Sequence, residues 1–137
     1  MIKKINKEDA LKITKWQYLP PYHVYNMTNA LDELVDSYYG VYKDDLVGFF
    51  CSGEDAQVPP GNYTEGFIDL GIGLRPDLCG QGMGASFMKE VMTAFDKPLR
   101  LTVYKWNERA IKLYEKLGFK YESEFYRGEK LFIIMTK

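Results

Sequence analysis

The sequence contains few cysteines, no excess of charge of either sign and no long apolar run. Only two of its 137 residues are cysteines. Cys51 and Cys79 form no CxxC pair, so a structural zinc site is excluded and a disulfide framework is not expected. Eighteen basic and nineteen acidic residues leave a net charge of −1, which removes the positive surface of a general nucleic-acid binder. No segment approaches the ~20 apolar residues that span a bilayer, so we expect no membrane partner.

The first nine residues have no apolar stretch of the kind found in signal peptides. A cytoplasmic location is therefore expected. The length of 137 residues and a hydrophobic content of 46% are sufficient for one core, and residues 1–137 are predicted to form a single domain. With His23 as the only histidine, no metal site is expected.

The apolar pattern predicts alternating strands and helices. Strands are expected at 2–5, 37–42, 46–51, 64–74, 99–104, 119–126 and 131–136. Helices are expected at 6–16, 29–35, 83–95 and 107–117. This order predicts an α+β fold, an α/β sandwich around one sheet.

A glycine-rich loop separates the strand at 64–74 from an amphipathic helix. Gly80, Gly82 and Gly84 alternate there with Gln81 and Met83. Backbone N–H groups and a helix N-terminus in this position suit an anion. The spacing is neither the G-x-G-x-x-G of dinucleotide sites nor a P-loop, and a glycine turn without any ligand explains these three residues equally well.

Two longer sequence blocks favour an anion-binding loop over a glycine turn without a ligand. The run from Leu70 to Gly84, LGIGLRPDLCGQGMG, resembles the acetyl-CoA-binding segment of the GCN5-related N-acetyltransferase (GNAT) superfamily. The run from Asn107 to Phe119 follows the N-x-x-A-x-x-x-Y-x-x-x-G-F pattern of the same family at every marked position. The resemblance implies a mostly antiparallel sheet of six to seven strands, about four helices and a splayed central strand pair.

The resemblance also implies a cofactor site without metal. The loop amides would hold the pyrophosphate of acetyl-CoA, and the strand end at Ile72–Leu74 would hold its pantetheine arm and thioester carbonyl. The cofactor-binding residues implied in this way are Ile72, Gly73, Leu74, Cys79, Gly80, Gln81, Gly82, Met83, Gly84, Ala85, Asn107 and Tyr114. Cys79 stands where the family has Gln or Arg, so one side-chain contact to phosphate is lost.

The reaction implied is direct acetyl transfer from acetyl-CoA to a primary amine of a small molecule or peptide. Tyr114 matches the tyrosine that protonates the leaving CoA sulfur, although its spacing alone suits an ordinary core aromatic. The amine must lose a proton before attack, and Asp69 and Glu65 are the candidate bases. With ~3.3 Å per strand residue, Asp69 is roughly 7 Å from Gly71 and Glu65 roughly 20 Å, which favours Asp69.

Several alternatives remain open at this stage. The same fold without effective catalysis would make the chain a CoA-binding regulatory or interaction module, which Cys79 favours. A purely structural domain with unrelated glycines is a third interpretation. The aromatic cluster between Tyr18 and Tyr25 either lines an acceptor pocket or covers a sheet edge. The sequence does not name the acceptor, and it allows a monomer or a homodimer.

Overall fold

A computed structural model describes residues 1–137 and contains seven strands and four α-helices. The strands are β1 (Ile2–Lys4), β2 (Tyr39–Lys43), β3 (Asp45–Ser52), β4 (Ile68–Leu74), β5 (Leu99–Tyr104), β6 (Lys120–Arg127) and β7 (Lys130–Thr136). The helices are α1 (Lys7–Thr14), α2 (Leu31–Ser37), α3 (Gly84–Met92) and α4 (Glu108–Lys116). None of these helices combines the length and apolar character needed to cross a membrane.

The seven strands form one sheet in the order β1-β2-β3-β4-β5-β7-β6. The β1–β2, β2–β3, β5–β7 and β6–β7 pairs are antiparallel, whereas β4 and β5 are parallel. The expected α+β fold, with a mostly antiparallel sheet and four helices, is therefore confirmed.

The parallel ladder between β4 and β5 is short. It contains three residue pairs and ends at Leu70 and Leu101, although β4 continues to Leu74 and β5 to Tyr104. The last four residues of β4 and the last three of β5 thus lie outside the ladder. This is the splayed central pair that the family resemblance implies.

The helix ends follow the sequence signals. Asn6 caps α1 by accepting a hydrogen bond from the Asp9 amide at 2.8 Å. Asn107 caps α4 in the same way, accepting from the Ala110 amide at 3.1 Å. Gly118 follows α4 with φ +97°, the left-handed conformation that ends many helices.

The chain forms two compact units, each built from two segments. Unit 1 consists of Met1–Cys51 and Ile72–Ala94, and unit 2 consists of Ser52–Gly71 and Phe95–Lys137. Strand β4 therefore contributes residues to both units. The assignment of residues 1–137 to a single domain stays a prediction.

Each unit has its own buried core. In unit 1, the apolar side chains between α1, α2 and the sheet form one cluster, which contains Ile5, Ala10, Ile13, Leu34, Leu46 and Phe49. In unit 2, the buried apolar side chains include Leu101, Phe119 and Ile134. A partly exposed row of aromatic rings lies in the same unit, where Tyr104 is 4.4 Å from Phe132 and 5.3 Å from Trp106, between ring centroids. Phe125 extends the row at 5.6 Å from Phe132.

The sequence-based start of the fourth strand is wrong. The strand begins at Ile68 rather than at residue 64, because Glu65 and Gly66 form a turn in which Gly66 has φ +104°. A residue with positive φ interrupts the extended backbone. Glu65 is exposed in that turn and does not share a strand face with Asp69.

Candidate active site

The glycine loop in unit 1 adopts a backbone that requires its glycines. After a 3₁₀ turn at Pro76–Leu78, Gly80 and Gly82 have φ +73° and +75°, a region that L side chains rarely enter. A Cβ atom at either position would meet no atom within 4 Å, so the space beside the backbone is open. The loop has the shape that allows a ligand to approach its amides closely.

The first turn of α3 lacks a side-chain cap. Met83 occupies the N-cap position and accepts no hydrogen bond through its side chain. The N–H groups that begin a helix need partners from outside the helix, and an anion is a suitable partner for them. The residues therefore fit a phosphate group through Gly80–Ala85, as the sequence predicts, and this assignment stays a prediction.

The end of β4 is tightly held within unit 1. The Arg75 amide donates to the Val47 carbonyl at 2.8 Å, and Gly73 lies so close to the Phe49 ring that a Cβ atom would overlap it. The Leu74 carbonyl accepts from the Tyr18 hydroxyl at 2.6 Å. The Sγ atom of Cys79 lies 3.8 Å from the same oxygen, so the thiol is directed at the strand end.

The predicted residues of α4 lie in unit 2. Asn107 and Tyr114 are both buried, and the Tyr114 ring lies 6.0 Å from Phe119 at an interplanar angle of 59°. Seven residues correspond to nearly two helical turns, so both side chains lie on one side of α4. The predicted acid role of Tyr114 stays a prediction, as does the contact of Asn107 with the cofactor.

Asp69 forms a buried ion pair within unit 2. Its carboxylate is 4% exposed and accepts from Arg100 Nε at 2.6 Å and from Arg100 Nη2 at 2.9 Å. Gln57 Nε2 donates to the same carboxylate at 3.0 Å. The hydrogen bond to Asp69 raises the pKa of Arg100. To accept a proton, Asp69 would have to give up bonds to a permanent cation, so this geometry does not favour it as the base.

The family assignment follows from a direct comparison. The model of the Acetyltransferase (GNAT) family matches residues 7–119. The chain belongs to the GNAT family of acetyltransferases. This match includes the glycine loop and both residues of α4, so the predicted membership is confirmed.

Relatives and solved structures are consistent with this family. A thialysine N-epsilon-acetyltransferase of Bos taurus is 45% identical over 51 residues, which are 34% of this chain and 30% of the relative. A 5-NmdU N-acetyltransferase of Pseudomonas phage PaMx11 is 30% identical over 91 residues, 66% of this chain and 61% of the relative. The chain thus matches less than two thirds of the length of either protein.

Among solved structures, an aminoglycoside N(6')acetyltransferase from Legionella pneumophila superposes with a TM-score of 0.77. The superposition covers 99% of this chain and 90% of that chain, at 18% sequence identity. At this identity the likeness shows the GNAT fold alone.

Sequence reasoning missed Arg100, the partner of Asp69. Its guanidinium is 2% exposed and lies 5.1 Å from the ring centroids of both Tyr63 and Phe67. The available signal was one arginine inside the apolar run of β5. Long cations are rarely buried without a partner, so that position predicted a buried acid elsewhere in the chain.

A second feature missed by the sequence reasoning is an open cavity of about 460 Å³ in unit 2. It is lined by Tyr104, Lys105, Trp106, Glu129, Lys130 and Leu131. Trp106 is 41% exposed there, and Lys105 is paired with Glu124 at 3.3 Å. This member of the GNAT family therefore presents aromatic surface beside charges of both signs.

Proposed function

We propose that this GNAT member transfers an acetyl group from acetyl-CoA directly to a primary amine of a small molecule or peptide. The observation that carries the proposal is the end of the β4–β5 ladder at Leu70 and Leu101. Beyond that point β4 has backbone groups outside the parallel ladder, and an open glycine loop and an uncapped helix start follow it in the chain. Such a series of backbone donors suits a long ligand with a phosphate end.

The cofactor would supply the activated acetyl thioester. Gly80–Ala85 would hold its pyrophosphate through backbone N–H groups. The backbone of Ile72–Leu74 would bind the pantetheine arm and direct a donor at the carbonyl oxygen, where negative charge develops during attack. Asn107 would bind the same arm while it caps α4.

Two proton transfers accompany the reaction. A primary amine with a pKa near ~10.4 is almost fully protonated at neutral pH and must lose a proton before it attacks. The Tyr114 hydroxyl would give a proton to the departing sulfur. Its place on helix α4 would hold the proton donor in position during the reaction.

Two carboxylates are candidates for the base. Asp69 is occupied by Arg100, and Glu65 lies in the turn before Ile68, outside β4. The two carboxylates stay candidates that pH–rate profiles of Asp69→Asn and Glu65→Gln would separate. Loss of the acidic limb in one variant alone would identify the base, and its retention in both would exclude both.

The acceptor has two candidate surfaces. One is the aromatic segment from Tyr18 to Tyr25, and the other is the cavity beside Trp106 and Glu129. Aromatic faces and a carboxylate attract ammonium groups. The two relatives are named as N-acetyltransferases of thialysine and of 5-NmdU. These names support an acceptor in which a small molecule carries the amine.

The test is a turnover screen with acetyl-CoA that detects the free thiol of released CoA. The acceptors to include are polyamines, aminoglycosides, thialysine and other amino acids, 5-NmdU and peptide N-termini. Tyr114→Phe serves as the matched control, since it keeps the ring. Thiol release with one acceptor class, strongly reduced in the control, supports the proposal.

The second candidate is a CoA-binding module without effective catalysis. It is favoured by Cys79, which stands where the family has Gln or Arg and whose Sγ lies 3.7 Å from the Arg75 carbonyl. Calorimetry that shows CoA binding, together with no thiol release from any acceptor, would select this function. Absence of CoA binding would exclude both.

A further inference from the structure

Tyr18 connects the segment that follows α1 to the last residue of β4. Its hydroxyl donates to the Leu74 carbonyl at 2.6 Å, across 56 residues of chain. The residue is partly buried. Burial is the main cause that raises the pKa of its hydroxyl, and the nearby Cys79 raises this pKa further. The hydroxyl therefore stays protonated at neutral pH and remains a donor to Leu74.

The segment that carries Tyr18 is closed by side-chain hydrogen bonds. Asn26 Oδ1 accepts from the Tyr18 amide at 2.9 Å, and Asn26 Nδ2 donates to Gln17 Oε1 at 3.1 Å. We call residues 17–26 the Tyr18 loop. Its polar side-chain bonds link its two ends, and the Tyr18 hydroxyl links it to β4.

The Tyr18 loop also presents apolar side chains to solvent. Leu19 is 81% exposed and Val24 is 45% exposed. Exposed apolar groups bind a ligand more strongly when the loop that carries them is ordered beforehand, because binding then avoids the cost of ordering the loop. The loop thus combines a surface suited to recognition with one hydrogen-bonded link to the strand end.

We propose that Tyr18 is a positioning residue that couples the end of β4 to the conformation of the Tyr18 loop. The inference rests on the proposed function, because Ile72–Leu74 are expected to bind acetyl-CoA. A ligand that fixes the backbone of Leu74 favours the state in which Tyr18 is hydrogen-bonded to it. By linkage, an ordered Tyr18 loop favours cofactor binding by the same factor. Occupancy of the strand end thereby prepares the loop that contacts a second ligand.

Amide hydrogen exchange of the full-length chain, with and without saturating CoA, tests this coupling. In the wild type we expect CoA to slow exchange of the amides in 17–26. In Tyr18→Phe, exchange of these amides should be about fivefold faster without CoA, the effect of losing one ordinary hydrogen bond. CoA should still bind this variant, with an affinity within about tenfold of the wild type, but should no longer slow exchange in the loop.

Tyr121→Phe is the matched control, since it removes a hydroxyl that donates to Glu124 at 2.9 Å in unit 2. It should behave like the wild type in the Tyr18 loop. Equal CoA-induced slowing in Tyr18→Phe and wild type overturns the coupling, and so does its absence in a wild type that binds CoA. If calorimetry shows no CoA binding to the wild type, the proposed function fails and the coupling to cofactor falls with it. Unchanged exchange in Tyr18→Phe without CoA overturns the link between Tyr18 and Leu74 independently of any cofactor.

Discussion

Replacing Arg100 by leucine would leave the Asp69 carboxylate buried without its cation. The pair is nearly inaccessible, with Arg100 at 2% and Asp69 at 4% exposure, and only the bond from Gln57 at 3.0 Å would remain among those described for that carboxylate. Removing one member of a buried ion pair costs about 3–5 kcal/mol. For a chain of this length, that loss lowers the melting temperature by roughly 10–20 °C.

Thermal and urea unfolding of the wild type and three variants would measure this effect. The double variant Asp69→Leu/Arg100→Leu removes both charges, so it should recover most of the stability lost in Arg100→Leu. Lys105→Leu is the matched control, because it breaks an ion pair that is largely exposed and should change the melting temperature little. An Arg100→Leu variant as stable as the control, or a double variant no more stable than the single one, would refute the reasoning.

Four further predictions concern the site. Gly82→Val should abolish CoA binding measured by calorimetry, whereas Gly53→Val, with a similar φ of +81° and equally open space, should retain it; equal binding by both folded variants contradicts the phosphate loop. Tyr114→Phe should lower turnover by roughly 10²-fold with little change in acetyl-CoA affinity, and unchanged turnover would make it a core residue only. Cys79 should be alkylated faster than the buried Cys51, and CoA should slow this alkylation in a mass-spectrometric assay. An alkylation rate that saturating CoA does not change would place Cys79 outside the site. Because burial and Cys79 raise the pKa of Tyr18, the folded chain retains a proton that the unfolded chain loses near pH 10, so stability should fall above that pH by up to about 1.4 kcal/mol per pH unit. Tyr18→Phe should flatten this decline in urea midpoints, and an unchanged slope would argue against it.

The elements that depend on neighbouring residues were predictable from the sequence. Asn6 and Asn107 cap their helices because a short side chain reaches the amide three residues ahead. Asp44, with φ +64°, forms the short connection between β2 and β3, and Asp is one of the residues that most readily adopt positive φ. The two sequence blocks that resemble the GNAT family, Leu70–Gly84 and Asn107–Phe119, also contain residues of this kind, namely glycines with positive φ and the cap Asn107.

Contacts between distant residues were not predictable in the same way. Asp69 and Arg100 are 31 residues apart, and they meet only because the parallel ladder pairs them directly. Alternation along one strand shows which side chains share a face but not what covers that face. The sequence therefore favours Asp69 as a base because of its distance to Gly71, whereas the partners of Asp69 depend on the register with β5.

The division of each unit into two chain segments has a consequence for folding kinetics. Unit 1 is complete only when Ile72–Ala94 joins Met1–Cys51, and this closes a loop of the 20 residues Ser52–Gly71. Unit 2 likewise closes a loop of the 23 residues Ile72–Ala94. Each closure costs entropy before its contacts form, so the rate-limiting step should involve long-range strand pairing rather than helix formation. During synthesis, neither unit is complete when its first segment leaves the ribosome. Strand β7 is synthesised last and pairs with both β5 and β6, so this part of the sheet forms only at the end of synthesis.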